Sequence, residues 1–224
     1  MQNNAVTSIL NLSIYENNKE LIMLAGAIPS IVQVLRAGTM EARENAAATL
    51  FSLLLADENK IIIGASGAIP ALVELLQDGS PRGKKDAATA LFNLCIYQGN
   101  KGKTIRAGII TSFLNMLTDS SKSMVDKALT IMSVLASHYE AKVAIVKAST
   151  IPVLIDLLRT GLPHNKENAA AILLALCKRD TYNLACISRL GAAEPLSDIS
   201  RSGTERAKRK ATSLLDHLEV SVFL

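Results

Sequence analysis

Three observations predict an all-α solenoid. One stretch recurs along the chain: AGAIPSIVQVL (25–35), SGAIPALVELL (66–76), AGIITSFLNML (107–117) and ASTIPVLIDLL (148–158) stand 41 residues apart, and LGAAEPLSDIS (190–200) follows at 42. A second block keeps the same register: NAVTSILNL (4–12), NAAATLFSL (45–53), DAATALFNL (86–94), KALTIMSVL (127–135), NAAAILLAL (168–176) and KATSLLDHL (210–218). Hydrophobic residues make up 49% of the 224, yet aromatics are only 4% and Trp is absent, as in helical layers filled by Leu, Ile, Val and Ala. A fixed period of about 40–47 residues holding two or three helices marks an array whose repeats each touch only their neighbours. The expectation is one elongated domain over 1–224: a partial repeat at 1–24, then repeats at 25–65, 66–106, 107–147, 148–189 and 190–224.

The stretch 66–106 serves as the template repeat. Its first helix is short and is expected to open at Asn100, matched by Asn18 and Asn59, because an Asn side chain can accept a bond from an orphaned first-turn N–H. Gly67, matched by Gly26, Gly108 and Gly191, then breaks the chain; a residue without Cβ turns sharply between steeply crossed helices. Ser149 holds this place in the fifth repeat, so the turn is read as one that a residue with a side chain can adopt. The second helix starts at Pro70, matched by Pro29 and Pro152, since a first turn tolerates the missing N–H. Leu72, Val73, Leu75 and Leu76 give it a core face.

The third helix, about 82–97, is the longest. Ser80 caps it ahead of Pro81, with Thr39, Ser121 and Thr204 in the same place. Ala87, Ala88, Ala90, Leu91, Leu94 and Cys95 supply small and large apolar positions for packing on the layers either side. Each fully buried leucine contributes roughly 1.5–3 kcal/mol, so Leu91→Asp is expected to open the stack at that layer. The first repeat lacks its opening helices, and solenoid ends need polar caps. The sequence is therefore expected to be cut from a longer one, with Met1 an added start and self-association through the uncapped N-terminal layer. Val220, Val222, Phe223 and Leu224 read as a tail, either folded back on the last layer or appended.

Other chemistry finds little support. No apolar run reaches the 18 or more residues of a membrane span, and no secretory leader opens the chain. Cys95 and Cys177 share one repeat position, held elsewhere by Ser13, Leu54 and Ala136, and with Cys186 they make no disulfide framework. They read as small buried residues in an intracellular setting, cytoplasmic and also nuclear. His138, His164 and His217 fall in different repeats with no Cys or carboxylate at ligand spacing. There is no GxSxG or HExxH, and GSPRGKK lacks phosphate-loop spacing. Neither a catalytic site, a metal nor a cofactor is expected. Tyr15 and Tyr97, at equivalent positions, read as interhelix packing.

Three-helix repeats of this length, with Gly between helices one and two and a third helix of the form NAA..L..L, resemble armadillo repeats. Within that class, EARENAAATLFSL (41–53), GSPRGKKDAATALFNL (79–94), NKENAAAILLALCKRD (165–180), GTERAKRKA (203–211) and the RDT…RLGA stretch resemble the armadillo region of plant U-box E3 ubiquitin ligases. The resemblance implies a right-handed armadillo superhelix. It also implies a parent whose N-terminal U-box recruits a ubiquitin-charged conjugating enzyme while the armadillo array selects a substrate or a regulatory receptor kinase. A stand-alone armadillo adaptor without ligase function is the alternative.

In that architecture the third helices line the concave side, and their solvent stripe is expected at positions one, four and eight of the NAVTSILNL block. Position one reads Asn4, Asn45, Asp86, Lys127, Asn168 and Lys210; position four reads Thr7, Ala48, Thr89, Thr130, Ala171 and Ser213; position eight reads Asn11, Ser52, Asn93, Val134, Ala175 and His217. In armadillo import receptors and catenin-like proteins, position-eight asparagines hold a partner's extended backbone, an amide offering donors and acceptors together. Here only Asn11 and Asn93 keep that type, and position four carries no Trp for lysine pockets, which argues against nuclear import. The net charge of +4 and a pI near 9 are weak signs of an anionic partner. Arg206, Lys208, Arg209 and Lys210 form the largest basic cluster, read as a solvated helix face, a contact for an acidic or phosphorylated protein segment, or a nucleic-acid or lipid contact. Without interleaved aromatics, single-strand stacking is unsupported, and no nucleic-acid or membrane partner is expected.

Overall fold

The computed structural model describes residues 2–119, 123–178 and 180–221, which form sixteen α-helices and no strand. The first are α1 (Gln2–Ser13) and α2 (Glu16–Leu24). Next come α3 (Ile28–Ala37), α4 (Met40–Leu53) and α5 (Asn59–Ala65), then α6 (Ala68–Asp78), α7 (Pro81–Ile96) and α8 (Gln98–Arg106). They are followed by α9 (Ile109–Thr118), α10 (Val125–Leu135) and α11 (Tyr139–Lys147), then α12 (Ile151–Thr160), α13 (Pro163–Cys177) and α14 (Thr181–Arg189). α15 (Ala193–Ser202) and α16 (Glu205–Ser221) come last. The helix triplet per repeat is as expected, and the template's long helix is shifted by one residue, to 81–96. Ser121, Val222, Phe223 and Leu224, Met1, and the Arg179 of the RDT stretch lie outside the described residues, as does the side chain of Val220.

The helices group into two compact bodies, 1–112 and 113–224. In the first, the long helices α1, α4 and α7 lie side by side, with α3 packed on α4 and α6 on α7. Ala46, Ala47, Leu50 and Leu53 of α4 are buried, as are Ala87, Ala88, Ala90, Leu91, Leu94 and Cys95 of α7. Alanines on the touching faces let helix axes approach to about 8–10 Å. In the second body α13 packs against α10 and α16, while α12 and α15 pack on α13 and α16. Ala169, Ala170, Ile172, Leu173 and Leu176 fill its centre.

Hydroxyls cap α4, α7 and α16 as the sequence predicts, whereas α10 begins after Met124 rather than Ser121 and α13 after Leu162, neither with a side-chain cap. Thr39 Oγ1 accepts from Ala42 N, Ser80 Oγ from Gly83 N and Thr204 Oγ1 from Ala207 N at 3.1–3.3 Å. The short helices differ from expectation. Asn18, Asn59, Asn100 and Asn183 are not caps; each turns its Nδ2 back to donate to the last turn of the preceding long helix, at Leu12 O, Leu53 O, Leu94 O and Leu176 O. The last carbonyls of a helix lack an i+4 N–H of their own helix, and the Asn Nδ2 supplies a donor there. Pro29 and Pro152 are second and Pro70 third in their helices, which begin slightly earlier than predicted.

The turn after each short helix is left-handed in every repeat, with φ of +65° to +86° at the four glycines and +55° at Ser149. Ser149 therefore adopts a glycine conformation against the clash of its own Cβ with the backbone. Tyr15 and Tyr97 are also corrected. Both are exposed rather than packed between helices.

Candidate functional site

The long-helix stripe divides into positions that the layers use themselves and positions that they leave accessible. Position one is the first kind. Asn45 is only 6% exposed; its Nδ2 donates to Thr7 Oγ1 at 3.0 Å and its Oδ1 accepts from Arg82 Nη2 at 2.9 Å. Thr7 Oγ1 meanwhile donates to Asn3 O, so its lone pair faces Asn45. In the second body Asn168, 8% exposed, repeats the contact on Thr130 Oγ1 at 3.3 Å and lies 3.2 Å from His164 Nε2. The expectation that Asn45 and Asn168 face a partner is therefore corrected. Closely packed long helices bring position one of one layer within reach of position four of the layer before. Asp86 is half-buried and pairs with Arg82 at 3.6 Å. Asn4 is exposed and Lys127 half-buried.

Position eight is more open. Ser52 donates to Ser13 O at 2.7 Å and is committed to the neighbouring layer. Asn11 is exposed, and Asn93 is half-buried with Nδ2 on Thr89 O of its own helix at 3.0 Å. In the second body Val134 and Ala175 are half-buried and His217 is exposed. Ala48, Thr89, Ala171 and Ser213 at position four are half-buried.

A further row went unnoticed in the sequence, the residue just before position one. Glu44 and Glu167 are both buried there. Glu44 accepts from Ser80 Oγ and lies 3.8 Å from Arg82; Glu167 accepts from Thr204 Oγ1 at 2.7 Å and pairs with Arg206 at 3.2 Å. Asn3 accepts from Thr39 Oγ1 at 3.0 Å in the same place. Asp126 instead meets His164 Nε2 at 3.4 Å. The repeated Glu-Asn-Ala-Ala string, followed 36 or 37 residues later by a hydroxyl and then a basic residue, was the available signal.

This row also narrows the basic cluster. Arg206 is engaged by Glu167 and Lys208 by Glu205 at 3.1 Å, while Arg209 and Lys210 are exposed. Two of the thiols are held protonated: burial pushes Cys95 up to about 11, and burial with the nearby Asp180 charge pushes Cys177 up to about 12. In each case a low-dielectric surrounding disfavours the thiolate.

Comparison with known proteins places this architecture. The family model described as plant U-box protein ARM repeat region matches residues 3–222. U-box domain-containing protein 12 of Arabidopsis thaliana is 65% identical over 96% of the chain, which covers 33% of that relative. U-box domain-containing protein 11 of Arabidopsis thaliana is 72% identical over 64 residues, 29% of the chain and 10% of the relative. The chain thus spans about a third or less of the length of these relatives. Among solved structures, a designed armadillo repeat protein superposes with a TM-score of 0.84 at 22% identity, covering 96% of this chain and 92% of that one. Another, designed and in complex with the peptide (KR)4, superposes at 0.81 with 20% identity over 96% and 92%.

Proposed function

Because the chain belongs to the plant U-box protein ARM repeat family, we propose that it is the region by which a U-box ubiquitin ligase recognises its substrate or regulatory partner. The armadillo array is a protein-interaction fold, and in this reading the chain performs no transfer chemistry. It holds a target while a U-box elsewhere in the whole protein positions the ubiquitin-charged conjugating enzyme.

The observation that carries the proposal is at position eight of the first body. Where Asn45 and Ser52 are committed to neighbouring layers, Asn11 and Asn93 still present amides that a partner can reach. An amide can donate to and accept from the same peptide bond. Two layer spacings of about 8–10 Å correspond to about five or six residues of extended chain. A designed armadillo repeat protein of the same fold, solved in complex with the peptide (KR)4, supports a peptide as the kind of ligand.

Proximity labelling in plant cells with this chain and with the N11A/N93A variant tests the reading. The variant should lose a distinct set of labelled proteins, and calorimetry on those proteins should show affinity reduced about tenfold or more at an unchanged melting temperature. Reconstitution with a U-box, ubiquitin, activating and conjugating enzymes should then show slower modification of the same proteins. An identical labelled set with equal affinities would move recognition away from this row.

A further inference from the structure

A second surface lies at the edge of the first body, where the long helices end. Ile14, Leu55 and Ile96 occupy one repeat position, 41 residues apart, two residues after Leu12, Leu53 and Leu94 near the ends of the long helices. They are 69%, 56% and 51% exposed. Because α1, α4 and α7 lie side by side, these residues form a row along consecutive layers. The fold does not require apolar side chains there: the same position carries Ser137 and Lys178 in the second body, both exposed. Tyr15 and Tyr97 follow Ile14 and Ile96 directly in the chain and are exposed as well. On the adjoining short helices Leu21 and Ile62, again one repeat apart, are exposed in the first two layers, and Lys103 takes the place in the third.

We propose that this edge docks an amphipathic helix of a partner protein, with aliphatic residues recurring at every seventh position and basic residues toward the end that lies over α2 and α5. The spacing selects a helix. Side-by-side layers repeat at about 8–10 Å, and seven residues of α-helix rise about 10.5 Å with little drift from one face. An extended segment covers about 10 Å in three residues, but its third residue points to the opposite face, so it cannot present three aliphatic side chains to three layers.

Charge sets the orientation. Beside the first two layers stand the exposed carboxylates of Glu16, Glu20, Asp57 and Glu58. Glu16 and Asp57 are each matched by a buried lysine, Lys19 and Lys60, so Glu20 and Glu58 carry the excess. The third layer carries Lys103 and Arg106 instead. A helix with basic residues at one end and acidic residues at the other therefore has one favoured direction.

Panning a displayed library of random peptides of about 21 residues, three heptads long, against the 224-residue chain and its L55K variant tests this. The parent should enrich peptides with heptad-spaced aliphatic residues and a basic end, and those peptides should gain helical circular dichroism on binding. L55K, which introduces the residue found at Lys178, and I96S, which introduces the residue found at Ser137, should each weaken them about tenfold or more with unchanged melting. If L55K lowers the melting temperature, I14S/I96S carries the same expectation. Enrichment indifferent to Leu55, extended or proline-rich ligands, or no enrichment over an unrelated protein overturns the proposal. A dimer that L55K dissolves in sedimentation, or phosphatidylcholine vesicle binding that L55K abolishes, overturns it in favour of a second copy or a membrane.

Discussion

Thr204 Oγ1 donates to Glu167 Oε2 at 2.7 Å while accepting from Ala207 N at 3.1 Å. One hydroxyl thus caps α16 and ties it to α13. Ser80 does the same between α7 and α4, capping Gly83 N and donating to Glu44. A residue chosen locally for its capping oxygen therefore has its proton assigned by a side chain about one repeat away.

Replacing Ser80 or Thr204 by Ala should cost more than a cap alone. Loss of the cap accounts for about 1 kcal/mol, and depriving a buried carboxylate of a partner adds about 1–3 kcal/mol. Exchanging the two residue types, S80T or T204S, should cost well under 1 kcal/mol because the hydroxyl remains. Urea unfolding checks both. A loss from S80A no larger than from S80T would remove Glu44 from the account.

Gly64 makes room for Asn100. A Cβ at Gly64 would stand 2.1 Å from Asn100 Oδ1, while Asn100 Nδ2 donates to Lys60 O at 2.8 Å and Leu94 O at 3.1 Å. G64A should destabilise by about 2 kcal/mol or more through displacement of these bonds. In an N100A background the same change should be neutral or stabilising by up to about 1 kcal/mol, since Ala is the better helix former. The double-mutant cycle fails if the two losses simply add.

Ser149→Gly should raise stability by about 1 kcal/mol. The site holds φ at +55°, and relief of the left-handed penalty of about 1–2 kcal/mol exceeds the added chain entropy. A lower melting temperature for S149G would contradict the reading.

His164 takes the place that Arg82 and Arg206 hold in their layers, facing Asp126. Arginine adds a fixed charge and a planar fork of donors suited to a carboxylate. H164R should therefore add a few tenths of a kcal/mol, the scale of an exposed pair, and the gain should shrink in high salt. A gain independent of salt would assign it to packing.

Burial makes Cys95 and Cys177 slow to alkylate, with Cys186 modified first by iodoacetamide at pH 8. Their pKa values are raised to about 11 and about 12 from 9.0, so above pH 9 the unfolded chain releases thiol protons that the folded chain retains. Stability from this source is lost as pH rises past 9, and C95A should flatten that decline. Equal labelling of all three thiols would refute the burial.

The repeat let several features be read locally. The capping oxygens of Thr39, Ser80 and Thr204, the left-handed turn glycines and the Ala-Leu faces of α4, α7 and α13 all follow from contacts within a few residues. Asn18, Asn59 and Asn100 were misread because first-turn amides and a preceding helix's carbonyls both lie within reach of an Asn side chain, and only chain geometry chooses between them.

The sequence by itself determined the helix triplet, its period, its family and the residues that fill each layer, because those depend on periodicity and on backbone preference near each residue. Tertiary structure decided which polar side chains remain for a partner. Asn45 and Asn93 both fall on the predicted solvent stripe, at positions one and eight, yet one is held by Thr7 and Arg82 from neighbouring layers and the other bonds within its own helix. The physical reason is that a hydrogen bond is short and directional, so it is settled by the layer alongside, some forty residues away in the chain.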